Sequence, residues 1–431
     1  MSLLIKNALV IDPITNLDRV LLDIYIEDQQ IVQIAPRIEE IPGMEVYDAH
    51  GLWAAPGLVD IHVHLRQPGR EDKETVRTGT LAAAAGGFAA VACMPNTHPV
   101  LDGETVLGFL QQVIQQDAVV DVYPIGAISK GLQGEELAEL TEMAKAGVRA
   151  FSDDGHCVND GFLMRQALEY AKMLDVPLIC HAEDAKLADG GVMHEGYWST
   201  VLGLPPISPV AEEAIIARDL LLAEKIGARL HIAHVSTAGS VDLLRWGKAR
   251  GIRVTGEVTP HHLTLTDEAV STFDTNTKVN PPLRSIEDVQ AVRRGLADGT
   301  IDCIASDHAP HTREEKEQEY IHAPFGLIGL ETTVPVVMSE LVGRGHLAPL
   351  RAVEALSTKP ASILGLEPFS IAPGRIANIT LIDPNLEKTV KPDEFYSKSC
   401  NTPFADKRLK GWPKALIYHG QIIMRDGVVG D

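Results

Sequence analysis

Gly57-Leu58-Val59-Asp60-Ile61-His62-Val63-His64 is an apolar run that ends in two histidines separated by one residue. Read as a strand, its side chains alternate between faces, so His62 and His64 point the same way and offer two imidazole nitrogens to one place. Such a pair suits a metal ion, and it suits half-buried structure equally well, so the choice depends on partners elsewhere in the chain.

Candidate partners recur at the ends of other short, β-prone runs: Asp154 after residues 147–152, His181 after 176–180, His234 after 229–233 and Asp307 after 301–306. With further run ends near Asn96, Ser129 and Thr259, the count reaches eight, many of them roughly 25 to 35 residues apart, as a strand-plus-helix unit requires. Helical patterns fill the gaps, over 135–146 before Gly147 and over 209–226 before Gly227. Alternating strand and helix predicts an α/β fold, a distorted (β/α)8 barrel over residues 56–365, with the ionisable residues gathered at its C-terminal face. Four imidazoles and two carboxylates would then converge, enough to hold two zinc ions with one carboxylate bridging.

Residues 1–55 read differently, as short strands punctuated by Asp12-Pro13 and Pro42-Gly43, and residues 366–431 resume that character around 374–383 and 415–423. The two ends are expected to pair into one small, β-sandwich-like domain beside the barrel.

The 431 residues are 45% hydrophobic and 23% charged, which describes a globular chain with a large core. A formal net charge of -21 argues against nucleic acid or an anionic membrane as partner, while leaving room for a local basic pocket. The N-terminal residues lack the pattern of a signal peptide, and no apolar stretch is long enough to span a bilayer, so a cytoplasmic location is expected. Five scattered cysteines without a C-x-x-C pair suggest neither disulfides nor thiolate ligands.

Four motifs together, Asp60-Ile-His-Val-His-Leu-Arg-Gln-Pro-Gly69, Met94-Pro-Asn-Thr97, Asn280-Pro-Pro-Leu-Arg284 and Ala305-Ser-Asp-His-Ala-Pro-His311, resemble the amidohydrolase superfamily and, within it, bacterial type I dihydroorotase. The resemblance spans nearly the whole chain. It implies that His62 and His64 hold one Zn2+, that His181 and His234 hold a second, that Asp154 bridges them, and that Asp307 binds at the first metal and shuttles the proton. Many relatives, hydantoinases and allantoinases among them, bridge the metals with a carboxylated lysine on the fourth strand; here that strand ends Phe151-Ser-Asp-Asp-Gly155, without lysine.

The implied substrate is dihydroorotate or N-carbamoyl-L-aspartate, in pyrimidine biosynthesis. The resemblance places His64, Arg66, Asn96 and His311 against it, the last three at its carboxylate, with Asn280 and the backbone of Phe325 and Gly326 at the ring. A guanidinium fork suits a carboxylate. It further implies a homodimer, association in some relatives with aspartate transcarbamoylase, and two alternatives: another cyclic amidohydrolase, or a metal-free scaffold subunit, which would lack ligand histidines. Gln67 departs from the family's usual glutamate.

Other residues carry plainer readings. Asp153 or Asp154 could be the bridge on strand parity alone, and the resemblance favours Asp154. His231, three residues before His234, should face away from it and be packed or hydrogen-bonded. His261 and His262 are given a supporting role. Asp307 in isolation reads as a helix N-cap. The charged run 313–319 reads as a solvated face or as part of a loop over the substrate.

Overall fold

In the computed structural model, which describes residues 2–430, the two chain ends build one nine-stranded sheet. Strands Ser2–Asp12, Leu17–Glu27 and Gln30–Ala35 form an antiparallel meander, Glu45–Asp48 and Trp53–Pro56 add parallel to the first, and Ile379–Thr389 pairs antiparallel with Trp53–Pro56. Arg408–Tyr418, Gln421–Arg425 and Val428–Val429 complete it. Ile5, Val10, Ile24, Ile26, Ala54, Ile379, Leu381 and Ile417 give this sheet an apolar core of its own. The join at Ile379↔Pro56 matters for the site, because Leu58–Val63, the strand bearing His62, begins two residues later.

The remaining strands are parallel. Leu58–Val63, Phe88–Cys93 and Asp121–Pro124 form one set; Phe151–Ser152, Leu178–Cys180, Leu230–Ile232, Val254–Val258 and Cys303–Ile304 form another. Parallel bridges Gly126↔Phe151 and Val63↔His308 join the two sets at both ends, so the pairings run round a ring of eight strands. Helices including Val76–Ala85, Gly161–Leu174, Pro209–Ile226, Ala238–Ala249 and Ile286–Asp298 pack outside it. Strand alternation sorts the core: Leu178 and Cys180 belong to the outer cluster with the helices, whereas Ile179 joins Val59, Ile61, Ala90, Ala92, Ala233 and Ala305 in a second cluster.

Two sequence expectations need correction. The third strand ends at Pro124 rather than near Ser129. The helix expected over 135–146 is confined to Leu140–Lys145, because the preceding segment lies across the chain at 128–130, with the Lys130 amide donating to the Glu136 carbonyl and the Ala138 amide to that of Ile128. Local helix propensity yields there to tertiary backbone pairing.

Candidate active site

At the ring's C-terminal end, six side chains from five strands meet. His62 closes Leu58–Val63 with His64 just beyond; Asp154, His181, His234 and Asp307 each follow within three residues of a strand end. Asp154 is the hub. Its Oδ1 lies 3.2 Å from His62 Nε2, 3.5 Å from His181 Nδ1 and 3.6 Å from His234 Nε2, and its Oδ2 lies 3.4 Å from His64 Nε2. Asp307 Oδ1 is 3.1 Å from His64 Nε2 and 3.5 Å from His62 Nε2. His181 Nδ1 and His234 Nε2 face each other at 2.9 Å.

The neighbouring Asp153 turns elsewhere, accepting the amides of Ile128 and Ser129 and the Ser129 hydroxyl. Nor does Asp307 cap a helix: the short helix Arg313–Lys316 is capped by Thr312. Arg66, His234 and Asp307 have φ of 59°, 33° and 48°, left-handed backbone that non-glycine residues seldom adopt outside constrained sites.

Two hydrogen bonds fix which ring nitrogen faces the hub. His64 Nδ1 donates to Asn96 Oδ1 at 2.8 Å, leaving its Nε2 lone pair toward Asp307. His62 Nδ1 donates to Glu257 Oε1 at 2.6 Å, leaving its Nε2 toward Asp154. Glu257, fully buried on Val254–Val258, also takes His231 Nε2 at 3.1 Å, and His231 Nδ1 meets Thr255 Oγ1 at 2.8 Å. His231 is thus hydrogen-bonded, as its position in the strand suggested. A carboxylate behind a ligand imidazole is the usual device for fixing its tautomer and basicity.

The cluster is short of positive charge. Burial resists charge on His62, yet Asp154, Glu257 and Asp307 together raise it well above its ordinary value. Burial likewise opposes charge on Asp154 and Asp307, but the imidazoles around them, His62 foremost, hold both carboxyls below their usual range. Meanwhile His62 Nε2, Asp154 Oδ1 and His234 Nδ1 are buried with no hydrogen-bond partner among the described residues. Orphaned polar atoms of this kind are expensive unless something else engages them. Two overlapping groups, His62/His64/Asp307 and His62/Asp154/His234, each bring their donor atoms within 4.8 Å of one another. An imidazole and carboxylate donor set without thiolate fits a divalent cation.

A cavity of about 180 Å³ opens onto the cluster, lined by His64, Arg66, Asn96, Asp154, His181, His234, Asn280, Asp307, His311, Phe325 and Gly326. Every residue expected against the substrate is therefore on its wall. That volume is below the drug-sized range and suits a small ring compound. Arg66 is half-buried, with Nε donating to the Pro310 carbonyl at 3.1 Å; desolvation draws its guanidinium down to about 10, which leaves it charged at neutral pH. His311 Nε2 donates to the Phe325 carbonyl at 2.8 Å, and Lys73 Nζ approaches its Nδ1 at 3.2 Å. Burial, then Arg66 and Lys73, push the His311 imidazole down to about 3, so it is neutral and its one N–H is already in use. Asn280 Oδ1 is buried without a partner among the described residues.

The charged run after His311 divides. Arg313 and Glu314 are exposed, whereas Glu315 turns inward to Arg70 and Lys73 at 2.8 Å each, and buried Lys316 donates to the carbonyls of Pro324 and Gly326 at 2.9 Å each. His262 supports the site by bonding the Pro281 carbonyl at 2.9 Å. Arg284 joins Glu212 at 3.3 Å and Ser236 at 3.0 Å, tying the Asn280 segment to the loop after His234. Sequence reasoning missed Glu257 and Lys73. An acid inside the otherwise uncharged strand Val254–Val258 was the available signal for the first.

This ring, with an imidazole and carboxylate cluster at its C-terminal end, defines a hydrolase of the amidohydrolase superfamily. A family model described as dihydro-orotase-like matches residues 52–240. Among curated relatives, a dihydroorotase from Pelotomaculum thermopropionicum is 56% identical over 100% of both chains, and one from Acetivibrio thermocellus is 48% identical over 99% of this chain and 100% of that one. Among solved structures, an L-hydantoinase (dihydropyrimidinase) from Arthrobacter aurescens matches with a TM-score of 0.90 at 24% identity, covering 100% of this chain and 97% of that one; a dihydropyrimidinase from Brevibacillus agri gives 0.86 at 24%, covering 100% and 96%. The chain belongs to the dihydroorotase family.

Proposed function

We propose that the chain is a type I dihydroorotase that interconverts N-carbamoyl-L-aspartate and L-dihydroorotate, using two zinc ions on a distorted (β/α)8 barrel. The observation that carries this reading is the single cavity joining the Asp154 hub to a half-buried arginine, because the substrate is a cyclic amide bearing an unreactive carboxylate. His62, His64 and Asp307 would hold one ion and His181 and His234 the other, with Asp154 between them. Such ions supply Lewis-acid polarisation and a water acidified toward neutral pH.

The protein's own groups do the rest. Arg66 and His311 hold the substrate carboxylate, His311 exchanging its bond to Phe325 for one to the ligand. Asn280 Oδ1, unpartnered and buried, accepts a ring N–H. Asp307 Oδ1, ionised and 3.1 Å from His64, takes the proton of the attacking water and delivers it to the departing ring nitrogen. Asn96 and Glu257 keep the ligand imidazoles in the required tautomers.

The resemblance to type I enzymes extends this reading to residues 1–55 and 366–431 as a separate β-domain beside a catalytic domain at 56–365, a homodimer in the cytoplasm, and aspartate transcarbamoylase as a partner. No helix among the described residues is long and apolar enough to cross a membrane. The test is hydrolysis of L-dihydroorotate by purified, zinc-loaded protein near pH 8, with metal content measured on the same sample. Turnover with about two zinc per chain supports the proposal; zinc without turnover of this substrate contradicts it.

A further inference from the structure

The cavity wall that carries His311, Phe325 and Gly326 is made of two segments, 308–311 and 325–328. They touch through a bridge between His308 and Leu327 and a bond from the Ala309 amide to the Leu327 carbonyl at 2.8 Å. At Gly326 the segments come so close that a Cβ would sit 2.8 Å from Ala309 Cβ and 3.1 Å from His311 Nε2, and φ there is +129°. Neither segment holds the other at the cavity end by its own backbone.

Asn401 does so from a distant part of the chain. Between strands Ile379–Thr389 and Arg408–Tyr418 the chain leaves the terminal sheet and runs to the ring's C-terminal end. There the buried Asn401 donates from Nδ2 to the carbonyls of Ala309 at 3.1 Å and Gly326 at 3.2 Å, while its Oδ1 accepts the His311 amide at 3.2 Å and its own carbonyl accepts the Ile328 amide at 2.9 Å. Reversing the amide would set its oxygen against two carbonyls and its NH2 against an N–H, so the network fixes the orientation. The same excursion reaches the Arg66 side of the cavity: Ser399 Oγ donates to the Lys73 carbonyl at 2.9 Å, and Ser397 and Lys398 bond Glu74.

We propose that Asn401 is a positioning residue for the substrate's carboxylate, clamping the His311 and Gly326 segments at the spacing that lets His311 and Arg66 close on one anion. The proposal rests on the dihydroorotase reading above. Asn401 touches neither the metal-binding groups nor the reacting atoms, so its effect falls on binding of the carboxylate-bearing ring and not on the proton transfer at Asp307.

The test compares Asn401→Asp with the parent. This variant keeps the size and the bond from the His311 amide but replaces both donors with an acceptor facing two carbonyls. With L-dihydroorotate, KM should rise roughly tenfold or more, since each tenfold corresponds to about 1.4 kcal/mol and a buried unsatisfied group costs at least that order. The value of kcat should stay within about threefold and zinc content should not change. The inhibition constant of 5,6-dihydrouracil, the same ring without the carboxylate, should rise by a clearly smaller factor than KM. A general structural role would instead lower kcat and zinc content together and weaken both rings alike, which overturns the proposal, as does an unchanged KM. If Asn401→Asp does not fold, Asn401→Ala, which removes the bonds without adding charge, carries the same expectations. A parent inactive on dihydroorotate overturns the functional reading and this one with it; an active parent matched by its variants overturns this one alone.

Discussion

The two ends of the cavity are built on opposite principles. At the Asp154 end the side chains stand on strand termini, and His62 Nε2, Asp154 Oδ1 and His234 Nδ1 are buried without hydrogen-bond partners among the described residues. At the Arg66 end the side chains stand beyond the strands, on loops and the short helix Arg313–Lys316, and three are engaged: Arg66 by Pro310, His311 by Phe325 and Lys73, Glu315 by Arg70 and Lys73. Buried groups without partners mark where another component must engage them, a cation at the hub and a ligand N–H at Asn280 Oδ1. Groups satisfied internally mark where a transient ligand must displace what is already there. In the proposed reading a cation occupies the first end and the substrate carboxylate the second.

The largest effect that sharpens this contrast is expected from Asp307→Asn. Losing the proton carrier should lower kcat by roughly 10²- to 10⁴-fold, while the His181 and His234 side keeps its zinc; steady-state kinetics with metal analysis reads both. At the loop end, Arg66→Ala should raise KM for dihydroorotate by roughly ten- to a hundredfold, the equivalent of one charged hydrogen-bonding partner. An equal fall in kcat with KM unchanged would mean that Arg66 does not hold the ground-state carboxylate. Glu257→Gln keeps the bond to His62 but removes the charge behind it, and zinc affinity measured by chelator competition should fall by about 10- to 100-fold. An unchanged affinity would reduce Glu257 to packing.

The smallest effect concerns the loop itself. Burial, and then the Lys278 charge, push the Lys316 ammonium down from 10.5 to about 7. The folded protein therefore binds fewer protons than the unfolded chain between those values. The Lys316 contribution to stability is greatest above 10.5 and is lost as pH falls through about 7. Lys316→Met should flatten the change in unfolding temperature between pH 6 and pH 9 relative to the parent; an identical profile would show that Lys316 does not titrate as described.

The contrast also explains what could be read from the sequence. The six groups of the Asp154 end were legible because each terminates an apolar run, and strand periodicity with strand ends is a local pattern. The choice between Asp153 and Asp154 was legible only through the family resemblance and not from strand parity, since it turns on two backbone amides at 128 and 129 that the pattern leaves undefined. Glu257 was invisible as a partner because His62 lies 195 residues away in sequence. Asn401 resembled any polar loop residue, and its role depends on an excursion from a sheet whose pairing joins opposite ends of the chain. The short strand at 121–124 and the shortened helix at 140–145 were misjudged for a related reason, the backbone of 128–138 being used in tertiary pairing.

The account depends most on Asp154 lying between two cations. Crystals of the protein grown with zinc, measured on both sides of the zinc absorption edge, test this directly. The account predicts two anomalous peaks flanking the Asp154 carboxylate, one beside His62, His64 and Asp307 and the other beside His181 and His234. A single peak remote from Asp154, or none at full zinc loading, would contradict it.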